Sequence, residues 1–135
     1  MKTLLLTVLI PFILQGTEFA VIANKNLHIE SLSISQIKMI FLKKHKILND
    51  VDLVPINLDS TNAVRDSFEK NILDMSRTRL NSFWTKEHYL GQRPPLIVKS
   101  VKSVISFVKK IDGAIGYAPL SDTDGSVNII YKWVE

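Results

Sequence analysis

Short apolar runs alternate with amphipathic stretches through most of this 135-residue sequence, and the alternation restricts the folds open to the chain. The apolar runs have the length and composition of buried strands, and they lie at 19–23, 52–58, 96–98, 114–118 and 127–131. Between them, apolar residues recur at helical spacing over 33–41, 62–72, 80–90 and 100–110. Strands that alternate with helices in this way predict an α/β fold, in which helices cover the faces of a sheet.

Local signals refine this prediction. The continuous apolar run at 19–23 is typical of a strand in a parallel sheet. Pro55 cannot donate a ladder hydrogen bond and therefore indicates an edge strand or a bulge. The polar segment 121–126 predicts a hairpin turn between the last two strands. Gly116 lies inside an apolar strand, where glycine usually marks close packing, so we expect a larger side chain there to overpack.

The composition is that of an ordinary globular protein, and it excludes several classes of function. Hydrophobic residues make up 46% of the chain and charged residues 22%, which argues against a disordered or fibrous protein. The absence of cysteine excludes disulfides, thiolate metal sites and cysteine nucleophiles. A formal net charge of +4 is small for a nucleic-acid-binding domain, and the basic run Lys43–Lys46 is interpreted as a solvated helix end. No nucleic-acid partner is predicted.

The first sixteen residues have the features of a secretory signal peptide. Lys2 is their only charged residue, and the apolar run Leu4–Leu14 is too short to span a bilayer. Cleavage after Gly16 would leave residues 17–135 as a single exported domain. A buried N-terminal strand or an uncleaved anchor is the alternative interpretation.

The sequence lacks recognisable motifs for catalysis or metal binding. Three isolated histidines have no neighbour at metal-ligand spacing: His28, His45 and His88. The segment Asp122–Gly125 has part of a calcium-loop pattern but lacks its third acidic position and its terminal Glu. Neither a glycine-rich phosphate loop nor a Gly-x-Ser-x-Gly nucleophile elbow occurs. We therefore predict a protein that is not an enzyme and that needs no metal or cofactor.

One segment has the chemistry of an anion site, the junction between the strand at 52–58 and the helix after it. Hydroxyl and amide groups of Ser60, Thr61 and Asn62 can donate hydrogen bonds there, beside the unpaired N–H groups of a helix start. Arg65, in the first helical turn, can offer a planar charged fork to an oxyanion. Ligands of open α/β sheets bind at such strand ends. These four residues are the predicted anion-binding site.

Two other interpretations of this segment stay open. In the first, the polar residues only cap the helix, and Arg65 is solvated or pairs with Asp66 or Glu69. In the anion-site interpretation too, Arg65 is expected to contribute little to folding stability, since a solvated arginine in a first helical turn is slightly unfavourable to the helix dipole. In the second, Ser60 is the nucleophile of a hydrolase, for which the nearby sequence supplies no base.

Several motifs occur in an order that is familiar from one protein family. They are Leu32-Ser33-x-x-x-Ile37-x-x-Ile40-Phe41, Val54-Pro55-Ile56-Asn57, Arg65-x-x-Phe68, Trp84 with Tyr89-Leu90-Gly91, and Gly113-Ala114-Ile115-Gly116-Tyr117. Together they cover most of residues 19–119 and resemble the motifs of periplasmic phosphate-binding proteins of ABC transporters. The Gly-Ala-Ile-Gly-Tyr motif is the most specific of them.

This resemblance implies the type II periplasmic binding-protein fold, in which two three-layer α-β-α lobes close over an oxyanion. The chain has about half the length that two such lobes need, so a shortened, single-lobe form is expected. The family's Ser-Gly-Thr-Arg anion loop corresponds here to Asn62-Ala63-Val64-Arg65, in which only the arginine is retained. An arginine that the family often carries at the end of the preceding strand is replaced by Asn57 and Leu58.

Two functions follow as hypotheses. The first is a periplasmic module that binds phosphate or a similar oxyanion without catalysis and is linked to ABC-type phosphate uptake. A single lobe leaves its ligand open to water, and formation of a homodimer across the surface of the missing lobe would restore burial. The second is a protein-interaction or signalling module that has lost the ligand, because a fold does not fix a function. Its partner would be a membrane component or a signalling protein that docks on an exposed apolar face.

Overall fold

The structure, a computed structural model, describes residues 2–10 and 16–135 of the chain. Residues 2–10 are exposed and have no helix or strand. The predicted signal peptide lies partly outside the described residues, which omit 1 and 11–15, and it stays a prediction. In the described ranges, no helix has both the length and the apolar character that crossing a bilayer requires.

The described part of the chain contains strands and helices in alternation, as predicted. The strands are β1 (Glu18–Ala23), β2 (Ile47–Leu48), β3 (Val51–Asp52), β4 (Val54–Leu58), β5 (Leu96–Val98), β6 (Ala114–Pro119) and β7 (Asn128–Val134). The helices are α1 (Ile34–Phe41), α2 (Ala63–Phe68), α3 (Arg77–Tyr89) and α4 (Val101–Lys110). A π-helical turn, Glu69–Leu73, continues α2 directly. Short 3-10 turns are present at Lys25–Leu27 and Leu120–Asp122.

Five strands form one mixed sheet in the order β5-β4-β6-β1-β7. Strand β4 is parallel to β5 and β6, whereas β1 is antiparallel to both β6 and β7. The prediction that 19–23 belongs to a parallel pair is therefore wrong, because its apolar sequence reports burial and not strand direction. The predicted hairpin at 121–126 is also wrong, since β6 and β7 each pair with β1 and not with each other.

A small hairpin of β2 and β3 lies outside the main sheet and is absent from the sequence-based prediction. Its turn residues Asn49 and Asp50 both have positive φ, 50° and 61°. Two-residue turns of this backbone type match the twist of a hairpin, and Asn and Asp adopt the conformation more readily than most residues do.

Pro55 lies in β4, an interior strand, and so the prediction of an edge strand or bulge is wrong. The Val54 N–H donates to the Gly113 carbonyl on the β6 side at 2.8 Å. Successive N–H groups of a strand point to opposite sides, so the nitrogen of Pro55 points towards β5. Strand β5 begins at Leu96, which pairs with Ile56. The Pro55 nitrogen, which has no hydrogen to donate, therefore faces the β5 side at a level before the first residue of β5.

Helices cover both faces of the sheet. A Cβ added to Gly116 would lie 2.6 Å from Val104 Cγ1, so this face of β6 packs on α4. The next residue, Tyr117, points to the opposite face, where its ring lies 4.0 Å from that of Phe68 and 6.0 Å from that of Phe41. Helices α1 and α2 therefore cover the second face, and the predicted three-layer α-β-α arrangement is confirmed.

Tyr117 connects this buried aromatic cluster to the carboxyl end of β4. Its hydroxyl donates to Asn57 Oδ1 and accepts from the Leu58 N–H at 3.1 Å. The Tyr117 side chain is fully buried, and this burial raises the pKa of its phenol above the ordinary value. The neutral Tyr117 hydroxyl makes both of these hydrogen bonds and so holds the end of β4. The predicted site follows directly after this strand end.

Candidate functional site

The predicted site residues Ser60, Thr61 and Asn62 lie in the loop between β4 and α2. Asn62 caps α2, because its Oδ1 accepts a hydrogen bond from the Val64 N–H at 2.9 Å. Asp59 closes the loop, accepting from the Thr61 N–H at 3.2 Å and from the Ser60 hydroxyl at 3.4 Å. The side chains of Ser60 and Thr61 are exposed. Some of the backbone N–H groups at the start of α2 are thus already bonded to side chains of the chain itself.

Arg65 is brought to the same junction, but it is not solvated. Its side chain is only 12% exposed, and its Nε donates to Glu69 Oε2 at 3.0 Å. Its Nη1 donates to the backbone carbonyl of Leu58 at 2.9 Å. The pairing with Glu69, one of the alternatives drawn from the sequence, is therefore what the structure has. Within the described residues, Arg65 Nη2 has no hydrogen-bond partner and is the donor that remains for a ligand.

Glu69 is shared by two guanidinium groups. Its Oε1 accepts from Arg77 Nε at 2.8 Å and lies 2.7 Å from Arg77 Nη2, while Oε2 binds Arg65. Glu69 is 5% exposed. A carboxylate this deeply buried requires charged partners, and the two arginines supply them. We call Arg65, Glu69 and Arg77 the arginine–glutamate cluster.

Arg77 joins this cluster to the predicted loop. Its Nη1 donates to the Ser60 carbonyl at 3.0 Å, and its Nη2 donates to Asp66 Oδ1 at 3.0 Å. The hydrogen bond to Glu69 raises the pKa of Arg77 above its ordinary value, although partial burial opposes the shift. Arg77 is the first residue of α3, and the Ser76 hydroxyl caps that helix by accepting from the Arg79 N–H. The helix cap therefore fixes the position of Arg77, and its acidic partners stabilise its positive charge.

An open cleft of about 460 Å³ lies beside the cluster. It is lined by Asp66, Glu69, Lys70, Asp74, Met75, Ser76 and Arg77. Carboxylates outnumber cationic side chains on this lining, so the cleft does not attract anions in the observed arrangement. The predicted site instead takes its hydrogen-bond donors from the side chains of the Ser60–Asn62 loop and from Arg65 Nη2.

Sequence reasoning missed Arg77 and the shared role of Glu69. The four-residue spacing of Arg65 and Glu69 on one helix was the available signal for that pair. No local pattern signals Arg77, because its contact with Glu69 joins residues eight positions apart in two different helical elements.

The histidines do not join this site in any contact that the structure describes. His45 Nε2 lies 2.9 Å from the Ile47 carbonyl oxygen, and His88 Nδ1 lies 3.3 Å from Arg93. Over residues 2–10 and 16–135, no three histidine or acidic side chains are grouped so that they could hold a metal ion.

Comparison of the structure with solved structures relates the fold to one class of proteins. A phosphate ABC transporter substrate-binding protein from Clostridium perfringens, solved with bound phosphate, superposes with a TM-score of 0.71 at 24% identity. The chain shares the fold of one part of this phosphate-transport protein. An ABC-type phosphate transport receptor from Vibrio cholerae gives a TM-score of 0.69 at 18% identity, and PstS from Borrelia burgdorferi gives 0.64 at 18%. No protein-family model and no curated protein matches the sequence.

The chain spans about half the length of these phosphate-transport proteins. The matches cover 86%, 88% and 86% of this chain but 45%, 47% and 48% of the respective proteins. This is the length relation that the sequence predicts for a shortened, single-lobe form. At this level of identity the likeness to the phosphate-transport proteins is one of fold, and the four site residues stay a prediction.

Proposed function

We propose that this chain is a non-enzymatic binding module for phosphate or a similar oxyanion. The observation that carries the proposal is the position of Arg65. In a fold shared with phosphate-transport proteins, its guanidinium lies where a parallel strand ends and a helix begins. Ligands of open α/β sheets bind at such places, and arginine suits the geometry of tetrahedral oxyanions.

The proposed binding mode uses hydrogen bonds and charge, with no bond made or broken. Arg65 Nη2 and the exposed hydroxyls of Ser60 and Thr61 donate to the oxyanion, and Ser60 gives up its 3.4 Å hydrogen bond to Asp59 to do so. The fourth donor is the side-chain amide nitrogen of Asn62, because the oxygen of the same amide caps α2. Hydrogen bonds to a charged group contribute about 1.5–3 kcal/mol each, and water competes for each of them at an open site.

We propose further that the module is exported to the periplasm by its N-terminal segment and acts there with a membrane transporter or a signalling protein. The apolar run after Lys2 supports the export, and the fold shared with transport receptors supports the partner. A homodimer would shield the open site from water. Light scattering on the purified protein, with and without phosphate, tests that part of the proposal: a mass of one chain under both conditions contradicts it.

A thermal-shift panel tests the binding function. Protein recovered from the periplasm after expression of the full chain is heated with phosphate, sulfate, nitrate or chloride at equal ionic strength. We expect phosphate or sulfate to raise the midpoint of unfolding and chloride to leave it unchanged, since a ligand that binds only the folded state stabilises it. If no oxyanion raises the midpoint, binding fails as a function, and the protein-interaction or signalling module takes its place.

A further inference from the structure

The arginine–glutamate cluster already contains an anion that belongs to the chain. The Glu69 carboxylate accepts from Arg65 Nε at 3.0 Å through one oxygen and from Arg77 Nε at 2.8 Å through the other. Its side chain is 7% exposed, that of Arg65 is 12% exposed, and that of Arg77 is 32% exposed. Charge-assisted bonds to arginine at these distances are among the strong hydrogen bonds of proteins.

A carboxylate and an oxyanion use the same donors. Both present oxygen acceptors to the guanidinium fork, so an oxyanion that contacts Arg65 Nη2 can also take the place of Glu69 at Arg65 Nε. We propose that Glu69 is an internal competitor that sets the affinity of the Arg65 site and makes it selective for divalent oxyanions. This inference rests on the proposed function, because it concerns the anion that the same arginine would bind.

The selectivity follows from the charges. With Glu69 in place, the three charged groups of the cluster sum to one positive charge. A monovalent anion brings no more charge than the carboxylate that it would displace, and it must also be held from solution at an entropic cost. A divalent oxyanion brings one further negative charge to two closely placed guanidiniums. Only a divalent anion therefore binds the two guanidiniums more favourably than the Glu69 carboxylate that it replaces.

The surroundings of Glu69 contribute to this competition. Asp66 also pairs with Arg77, and Asp74 and Lys70 line the same cleft. These groups leave a net negative lining, which resists a free anion on that side and favours entry from the Ser60–Asn62 loop. Glu69 is also the first residue of the π-helical turn, an irregularity that is frequent at functional sites.

The test compares the wild-type protein with Glu69→Gln and with Glu69→Asp. Glutamine keeps the size of the side chain and removes its charge, whereas aspartate keeps the charge and withdraws it by one methylene group. Isothermal titration is carried out with phosphate, sulfate and nitrate at mildly alkaline pH, where phosphate is the dianion. Circular dichroism confirms that each variant is folded under the conditions used. Asp66→Asn is the matched control, because Asp66 also pairs with Arg77 at 3.0 Å but is 67% exposed.

We expect Glu69→Gln to bind phosphate at least about tenfold more tightly than the wild type and to bind nitrate as well, because close charge pairs couple at this level or above. Glu69→Asp is expected to lie between the two, and Asp66→Asn within about twofold of the wild type, as for an exposed pair. A wild type that binds no anion beside a Glu69→Gln variant that does would contradict the proposed function and the selectivity for divalent oxyanions together, since the carboxylate would then block the site completely.

Three further outcomes overturn the inference. Phosphate binding by the wild type with the same affinity and anion preference in folded Glu69→Gln leaves the proposed function standing and removes the role of Glu69. If Glu69→Gln fails to fold, an unchanged or weaker affinity in Glu69→Asp has the same meaning. If neither the wild type nor a folded variant binds any of the three anions, the proposed function fails and this inference fails with it.

Discussion

The guanidinium of Arg65 links the last residue of β4 to the π-helical turn through two hydrogen bonds. The sequence suggested that a solvated Arg65 would matter little for stability, but the side chain is 12% exposed and bonded to Glu69 and Leu58. Removal of one partner from a buried ion pair leaves the other charge without compensation. Arg65 is therefore a structural residue as well as a proposed ligand.

We expect Arg65→Ala to lower the free energy of unfolding by about 2–4 kcal/mol, the range for loss of a buried charged hydrogen-bond partner. Urea unfolding measures the change. Arg79→Ala is the control, because Arg79 is exposed and its side chain makes no hydrogen bond within the described residues. Equal stability of the two variants would show that the pair with Glu69 contributes nothing.

The binding role of Arg65 gives a separate prediction. Under conditions in which each variant is folded, Arg65→Ala should bind phosphate about 2–3 kcal/mol more weakly than the wild type, as expected for loss of a hydrogen bond to a charged group. Arg65→Lys should recover only part of this, since an ammonium group cannot reproduce the planar fork. Isothermal titration measures both. Unaltered phosphate binding by Arg65→Ala would mean that the anion binds elsewhere.

Gly116 leaves no space for a side chain between β6 and α4. An added Cβ would lie 2.6 Å from Val104 Cγ1 and 3.3 Å from Val108 Cγ2. We expect Gly116→Val to lower the free energy of unfolding by about 1–3 kcal/mol through overpacking. Gly125→Ala is the control, because nothing lies within 4 Å of its Cβ position. A Gly116→Val protein with the urea midpoint of the wild type would contradict this account of the packing.

At the scale of elements, the end of strand β4 depends on a side chain from β6. The Tyr117 hydroxyl serves both Asn57 Oδ1 and the Leu58 N–H, and Asn57 is 8% exposed. Without the hydroxyl these two groups would be left without that partner in a dry environment. We expect Tyr117→Phe to lower the free energy of unfolding by about 1–3 kcal/mol, the cost of unsatisfied buried groups. Chemical unfolding measures it, and Tyr89→Phe, at an 84% exposed position, is the control.

The raised pKa of Tyr117 adds a pH dependence to the same prediction. Its folded-state pKa lies above that of the unfolded chain, so the neutral phenol is favoured in the folded state. This contribution is complete below about pH 10, the ordinary pKa of tyrosine, and is lost as the pH rises from there towards the folded-state value. The wild type should therefore lose more stability above about pH 10 than Tyr117→Phe does. Parallel pH profiles would contradict the assignment.

How far the sequence predicts an element depends on where its determinants lie. Ser33 caps α1 in a capping box with Gln36, and Ser100 caps α4. Both caps could be predicted, because each is encoded within a few residues. The direction of β1 and the order of the strands depend on pairings between distant segments and could not be read from apolar runs. The candidate site divides in the same way: the loop and Arg65 are local, whereas the contact of Arg77 with Glu69 is tertiary.

At the scale of the whole molecule, the first residue after the predicted cleavage site pairs with the last residue of the chain. The Thr17 N–H donates to the Glu135 carbonyl at 3.0 Å, and the Glu135 N–H donates to the Thr17 carbonyl at 3.0 Å. Cleavage after Gly16 would leave both bonds intact. We expect mass spectrometry of the periplasmic fraction to find a chain that starts at Thr17. Recovery of the chain from the cytoplasm with Met1 retained would contradict export.

Pro55 affects arrangements that the chain does not adopt as well as the one that it does. In the native sheet its missing donor faces a side where β5 has no residue. If β5 were shifted towards the start of β4, a β5 carbonyl would lie opposite Pro55, which has no N–H to donate to it. A strand carbonyl without a partner lowers the stability of the pairing, so Pro55 disfavours every register in which β5 extends to the start of β4. The missing N–H of one residue thus helps to select the native alignment of the two parallel strands.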